Sequence, residues 1–304
     1  MTGGAVNRTR RRTGGIGYNG KKPGARRAPL KGAAMRTNRD IDHGRAFDWG
    51  RASADYAKYR DIYPPEFYRR LLEMGLCTKG QAVLDLGTGT GVLPRNLYRY
   101  GASFVGTDLS EEQIAQARRL AEEAGMEIAF RCVSAEETDF PDASFDVVTA
   151  CQCFFYFDHA LLAPRLSRML KRPGRVAALY MAWLPGEDPI AAKSEELVLK
   201  YNPGWTGGGE TRHPIAVPDA YGRDFEVERQ EVFDLRVPFT REGWNGRMKA
   251  CRGIGASLPA EEAARFGREH LALLERIAPP RFEVLHYAAV TVLRTKETGA
   301  SAPQ

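Results

Sequence analysis

The 304 residues are 43% hydrophobic and 27% charged, with 44 Lys/Arg against 38 Asp/Glu. That supports one large core, or a domain with an elaboration. No uninterrupted apolar run approaches the roughly 18 residues of a membrane span, so a cytoplasmic protein with no membrane partner is expected. The net charge of +6 is local: residues 1–40 hold eleven Lys/Arg and one Asp, which leaves residues 41–304 mildly acidic.

The basic stretch, with Arg8, Arg10, Arg11, Arg12, Lys21, Lys22, Arg26 and Arg27, is Gly-rich and poor in apolar residues. It reads as a disordered tail over 1–40, or as upstream sequence ahead of a start at Met35. The only route to nucleic acid is through this tail. Residues 41–80 read as an N-terminal helical cap: Trp49, Tyr56, Tyr59 and Arg60 precede Tyr63-Pro64-Pro65, and 66–74 has the spacing of an amphipathic helix.

A core is expected over 81–183. Val83-Leu84-Asp85-Leu86 is the short apolar run of a central parallel strand. It runs into Gly87-Thr88-Gly89-Thr90-Gly91, a turn that brings backbone close to a ligand. A dinucleotide fingerprint needs glycine at the first, third and sixth positions; here the sixth is Val92 and the third glycine comes one place early. That fits a ligand without a pyrophosphate. A helix over 92–100 and a strand over 103–107 follow, ending in Asp108, a carboxylate placed to accept from both hydroxyls of a ribose. Ser110, with Glu111 and Glu112 behind it, starts a helix over 110–124. Strands over 127–133 and 145–151, a helix over 158–170 and a strand over 175–183 complete a parallel alternation.

Residues 184–297 break the rhythm and read as a substrate-covering elaboration plus two final strands. A helix over 189–200 leads into Asn202-Pro203-Gly204-Trp205-Thr206-Gly207-Gly208-Gly209, a loop long enough to be a lid, with Glu210, Arg212 and His213 behind it. Strands over 231–239 and 282–294 flank helices over 241–256 and 259–277. Residues 298–304 read as a second disordered tail.

Five cysteines suit reduced thiols rather than a disulfide framework. Alternation puts Cys151 and Cys153 on one face of the fourth strand. With Cys251 they offer a three-sulfur site for a soft metal or metalloid, although no histidines of matching spacing accompany them.

The strand-turn-helix at 83–91 and Asp108 resemble the first two motifs of the class I S-adenosylmethionine (SAM) methyltransferases. Phe140-Pro141-Asp142-Ala143-Ser144-Phe145-Asp146-Val147-Val148 and Leu170-Lys171-Arg172-Pro173-Gly174-Arg175 are similar to runs of the type 11, quinone-biosynthesis-like group. Arg175 departs from that group's usual second glycine. The resemblance covers about 45–183. It implies an α/β fold: a doubly wound, mostly parallel seven-stranded Rossmann-like sheet with a helical C-terminal elaboration. It also implies SAM as cofactor, bound by Asp85, Gly87, Thr88, Gly89, Gly91, Asp108, Leu109, Ala135, Glu136 and Cys151. Tyr59 and Arg60 would lie at the methionyl end, Arg60 pairing with its carboxylate. Methyl transfer from a sulfonium is an in-line displacement that needs alignment but no metal and no covalent intermediate.

The run Cys151-Gln152-Cys153-Phe154-Phe155-Tyr156-Phe157 stands where the methyl group is expected. It lacks the Asn/Asp-Pro-Pro-aromatic signature of base and amide amine methylation and the Pro-Cys of cytosine C5 enzymes. The glutamate pair that grips arginine is also not evident. A small-molecule acceptor remains. Phe154, Tyr156, Trp244, Arg247, His213 and His286 are its candidate contacts, the two histidines as general bases where the acceptor must lose a proton. The rival readings are an RNA methyltransferase tethered by the tail, a metalloid methyltransferase using the three cysteines, and a SAM-binding module without activity.

Overall fold

The computed structural model describes residues 41–45 and 58–297, together with the backbone of Met35–Arg36 and Phe47–Asp48, which pair antiparallel. The basic tail apart from Met35–Arg36, together with Trp49, Tyr56 and the 298–304 tail, lies outside the described residues.

The main sheet has seven strands: β1 (Ala82–Leu86), β2 (Ser103–Asp108), β3 (Ala129–Cys132), β4 (Phe145–Cys151), β5 (Leu170–Trp183), β6 (Phe225–Thr240) and β7 (Arg281–Thr295). Their spatial order is 3-2-1-4-5-7-6. β1 to β5 pair parallel, while β7 runs antiparallel to β5 and to β6. This is the mostly parallel, seven-stranded α/β sheet expected from the sequence. The direction of winding reverses between β1 and β4, and that reversal opens a crevice outside the carboxyl ends of the strands.

Alternation along each strand sends side chains to two separate cores. Val83, Val147, Ala177, Leu179, Met181 and Trp183 belong to one. Their neighbours Leu84, Val148, Val176 and Ala178 belong to the other. Helix α1 (Pro65–Glu73) and α2 (Val92–Leu97) cover the first face, and α3 (Glu111–Glu123) packs through Ile114, Ala117 and Ala121 on Phe130. Helix α4 (His159–Met169) covers the second face with Leu162, Ala163, Leu166 and Met169. Each such side chain contributes about 1.5–3 kcal/mol by leaving water, except the smaller alanines. The first face is thickened by α5 (Pro189–Tyr201), α6 (Arg241–Lys249) and α7 (Ala260–Ile277), which bury Val198, Trp244, Met248, Phe266 and Leu274 against it.

Starts of helices are set locally. Ser110, Asp158, Asp188 and Thr240 each accept backbone N–H groups of the first turn of α3, α4, α5 and α6, worth about 1 kcal/mol apiece. The ends differ from expectation in several places, among them β5, which begins at Leu170 rather than 175, and α2, which ends at Leu97 rather than 100. The helix read over 241–256 stops at Lys249, because Gly253 and Gly255 follow and the chain turns through bonds such as Cys251 N–H to Met248 O (3.1 Å). β6 begins six residues earlier than the apolar pattern suggests, since Phe225–Gln230 continues the ladder with β7 across a register shift between Val227 and Arg229.

Candidate functional site

At the crevice, β1 delivers the glycine turn. Gly87, Gly89 and Gly91 have φ of 58°, 55° and 73°, a left-handed region that costs other L-residues about 1–2 kcal/mol. Close packing adds a second reason for glycine: a Cβ on Gly87 would lie 2.7 Å from Cys153 Sγ, and one on Gly91 2.9 Å from the Phe130 ring. Beneath the turn Asp85 is buried, accepting the hydroxyls of Thr88 and Thr149 at 2.6 Å each. Burial pushes its carboxyl up to about 6 despite those two hydroxyls. Asp85 therefore braces the turn from below through the protein's own groups.

Asp108 closes the crevice at the end of β2. Its Oδ2 accepts Gly89 N–H and its Oδ1 accepts Ser110 N–H, both at 2.9 Å, so the second motif is aimed at the first. A carboxylate offers about four acceptor directions, so one that holds these two N–H groups is chemically matched to a ribose diol as well. Leu109 and Glu136 are half-buried and Ala135 is buried; Glu136 accepts Asp158 N–H at 3.0 Å, tying the loop after β3 to the start of α4. The residues present fit an adenosyl group without a pyrophosphate.

The residues at the end of β4 form the boundary between this crevice and a cavity of about 650 Å³. Gln152 lines that cavity and has a left-handed backbone, φ 66°. It is held there by Gln152 N–H to Leu179 O (2.8 Å) and by its Nε2 to Met181 O (2.6 Å). The turn at Gln152 overturns the expectation that both flanking thiols share a face. Cys151 donates to the Tyr63 hydroxyl (3.3 Å) and packs with the first core, whereas Cys153 donates to Leu86 O (3.1 Å) and packs with the second. Burial pushes the Cys151 thiol up to about 12 and raises that of Cys251. Among the described residues no group of three His, Cys, Asp or Glu is placed to hold a metal. The three-sulfur site does not form.

Aromatic rings wall the cavity: Phe154, Phe155, Tyr156, Tyr180, Trp183 and Trp205. Two polar clusters border it. In one, Glu210 accepts the hydroxyls of Tyr180 (2.8 Å) and Tyr287 (3.0 Å) and pairs with His213 Nε2 (2.9 Å). The Tyr180 and Tyr287 hydroxyls are held un-ionised, first by burial and then by the Glu210 charge. In the other, buried Asp42 accepts Thr206 N–H (2.8 Å) and the Thr206 hydroxyl (3.0 Å) and pairs with Arg252 (3.0 Å). This clasp sets Ile41 into the cavity wall beside Trp205 and Thr206. Glu195 fixes the same loop from behind, accepting Trp183 Nε1–H and Gly209 N–H.

Of the expected acceptor contacts, Phe154, Tyr156, Arg247 and His213 line the cavity. Two do not. Trp244 is fully buried, donates its Nε1–H to Ser194 Oγ (2.8 Å) and packs on Phe239 and Trp183; its helical stripe faces the sheet. His286 is fully buried in β7 among Trp183, Phe239 and Trp244. Burial drives its imidazole down to about 3, so it takes no proton from an acceptor at neutral pH. Of the two residues expected at the methionyl end, Arg60 lines the cavity, while the Tyr59 ring is spent on packing against Gly246 of α6. The sequence names Gln152 and Trp205 only within a run and a loop, and gives no sign of Tyr180, Trp183 and Tyr287 as parts of this region.

Residues 83–174 match the family described as a methyltransferase domain. A ubiquinone biosynthesis O-methyltransferase of Nitrobacter winogradskyi is 31% identical over 151 residues, 49% of this chain and 56% of that protein. A protein of the same description from Bradyrhizobium diazoefficiens is 33% identical over 147 residues, 47% of this chain and 56% of that one. A demethylmenaquinone methyltransferase of Thermus thermophilus is 38% identical over 114 residues, covering 36% of this chain and 52% of that one. The chain thus spans little more than half the length of these curated relatives.

Proposed function

We propose that the chain is a class I SAM-dependent methyltransferase, a reading supported by the match of residues 83–174 to a methyltransferase domain, and that it methylates a small ring-shaped acceptor held in the aromatic cavity. The observation that carries this is the junction after β4: Cys153 packs on Gly87 of the glycine turn while its neighbour Gln152 lines the cavity. Cofactor crevice and acceptor cavity therefore share one short wall.

The bound cofactor supplies an electrophilic methyl group on a sulfonium. The protein's part is alignment and exclusion of water. Gly87, Thr88, Gly89 and Gly91, braced by Asp85, shape the approach of the methionyl and ribose parts; Asp108 with Leu109 takes the ribose, and Ala135 and Glu136 border the adenine. Arg60 pairs with the methionyl carboxylate. Phe154 and Tyr156 hold the acceptor, and their ring faces favour the cationic sulfonium. A cavity of this size and apolar lining is an ordinary small-molecule site, which speaks against a module that only binds SAM. The relatives' names, from ubiquinone and menaquinone formation, support a hydroxylated ring as acceptor. The test is incubation of the full chain with methyl-labelled SAM and a panel of catechols and hydroxybenzoates, beside transfer RNA. Label in a small organic product supports the reading; label only in RNA, lost when residues 1–34 are removed, contradicts it.

A further inference from the structure

Five non-glycine residues among those described have positive φ, and of these Gln152 alone lines the aromatic cavity. Its φ of 66° lies in a region that glycine occupies freely and a glutamine only with strain. Such strain persists where the surroundings impose it, and it gathers at sites of function. Here β5 imposes it. Gln152 N–H donates to Leu179 O (2.8 Å) and Nε2–H to Met181 O (2.6 Å), so backbone and side chain are pinned to the same strand.

The side-chain bond also settles which way the amide faces. Met181 O can only accept, so the atom against it is the nitrogen, and the carboxamide oxygen is the other arm of the same planar group. Among the described residues Oε1 accepts no hydrogen bond, and it is not sealed from solvent. The half-buried side chain therefore brings a fixed hydrogen-bond acceptor to a cavity walled by rings. Its place along that cavity follows from the next residue. Cys153 donates to Leu86 O (3.1 Å) and packs on Gly87, which puts Gln152 at the cofactor end.

Resting on the methyltransferase reading, we infer that Gln152 is the specificity residue for a hydroxyl acceptor, its Oε1 accepting the O–H of the group to be methylated. A hydroxyl held through its hydrogen keeps its oxygen lone pairs directed elsewhere. A neutral carboxamide takes no proton, so its service is orientation. A ring position without such a donor gives Oε1 nothing to accept and leaves the amide oxygen desolvated, which costs affinity.

The experiment needs no knowledge of the natural acceptor. The full chain, saturated with S-adenosylhomocysteine, is titrated calorimetrically with 4-hydroxyacetophenone and with 4-fluoroacetophenone, which has the same shape but no donor. The hydroxyl compound should bind at least fivefold more tightly. Gln152→Gly suits the left-handed backbone and removes the amide; the preference should vanish while S-adenosylhomocysteine affinity stays within threefold. Gln152→Asn also tolerates this backbone and shortens the amide by one methylene. It should lose most of the preference, and it guards against a Gly variant that fails to fold. Equal binding of the two compounds, no binding of either to protein that holds S-adenosylhomocysteine, or a preference unchanged in the folded variants overturns the assignment. So does a loss of preference that comes with lost S-adenosylhomocysteine affinity, which would make Gln152 a cofactor contact. Failure of the parent to bind S-adenosylhomocysteine at all would instead sink the methyltransferase reading.

Discussion

The glycine turn and the aromatic cavity meet at Gln152, yet they are held by different means. The turn is a backbone device: three left-handed glycines, two N–H groups on Asp108 and two hydroxyls on Asp85, all from residues 85–149. The cavity is a side-chain device, assembled from Ile41, Arg60, the β4–α4 connection, β5, the loop at 205–218 and α6. The difference teaches where tolerance lies. A backbone cradle has almost no freedom to change a residue, whereas rings and ion pairs drawn from distant segments can be exchanged to suit another acceptor while the cofactor end stays fixed.

Gly87→Ala is the strongest way to break the first half. The left-handed backbone and the overlap with Cys153 together predict a loss of roughly 2–5 kcal/mol, read as a lower urea midpoint together with lost S-adenosylhomocysteine binding. A midpoint unchanged from the parent would show that the turn relaxes more freely than its packing implies.

Acid acts with opposite sign on the turn and on the buried histidines of the helical cover and β7. His270 and His286, in the helical cover and β7, are driven down by burial to about 4 and about 3 from an ordinary 6.5. The unfolded chain takes up their protons first, so the stability they contribute is present above about pH 6.5 and is lost as pH falls toward those values. Asp85 behaves oppositely: raised from 3.8 to about 6 by burial, its contribution is present below about pH 3.8 and lost as pH rises through about 6, on the order of 3 kcal/mol. Asp85→Asn should therefore steepen the fall in melting temperature between pH 6 and pH 4 and raise stability at pH 7. A pH profile parallel to the parent's would show that the two terms do not oppose each other.

Asp42→Asn sharpens the second half. It keeps a residue type that tolerates the φ of 48° at this position but removes the charge that Arg252 and Thr206 share. The expected loss is smaller, roughly 1–3 kcal/mol, with faster proteolysis in 203–218 and unchanged S-adenosylhomocysteine affinity. Slower proteolysis, or a drop in that affinity, would deny that the clasp serves the cavity alone.

The same contrast decides what the sequence reveals. A turn whose glycines, aspartates and capping serine are contiguous with their strands carries its own signature, so Gly87, Gly89, Gly91, Asp108 and the sheet around them are legible. So is the general place of the cavity, from Phe154 and Tyr156. Trp244 and His286 are misplaced because a helical stripe or a lone histidine has the same spacing whether it faces a cavity or the sheet. Cys151 and Cys153 are misplaced because the left-handed Gln152 between them breaks strand alternation without a glycine to announce it. The Glu210 node joins Tyr180, His213 and Tyr287 from separate segments, and the Asp42 clasp joins residues 164 apart; no periodicity registers pairings at such distance.

The central claim is that the crevice closed by Asp108 holds the cofactor. Its most direct test is calorimetric titration of SAM and S-adenosylhomocysteine into the full chain and into Asp108→Ala. The account predicts micromolar binding of both by the parent and at least a tenfold loss in the variant, which should remain folded. No binding by the parent, or equal binding by both proteins, would contradict it.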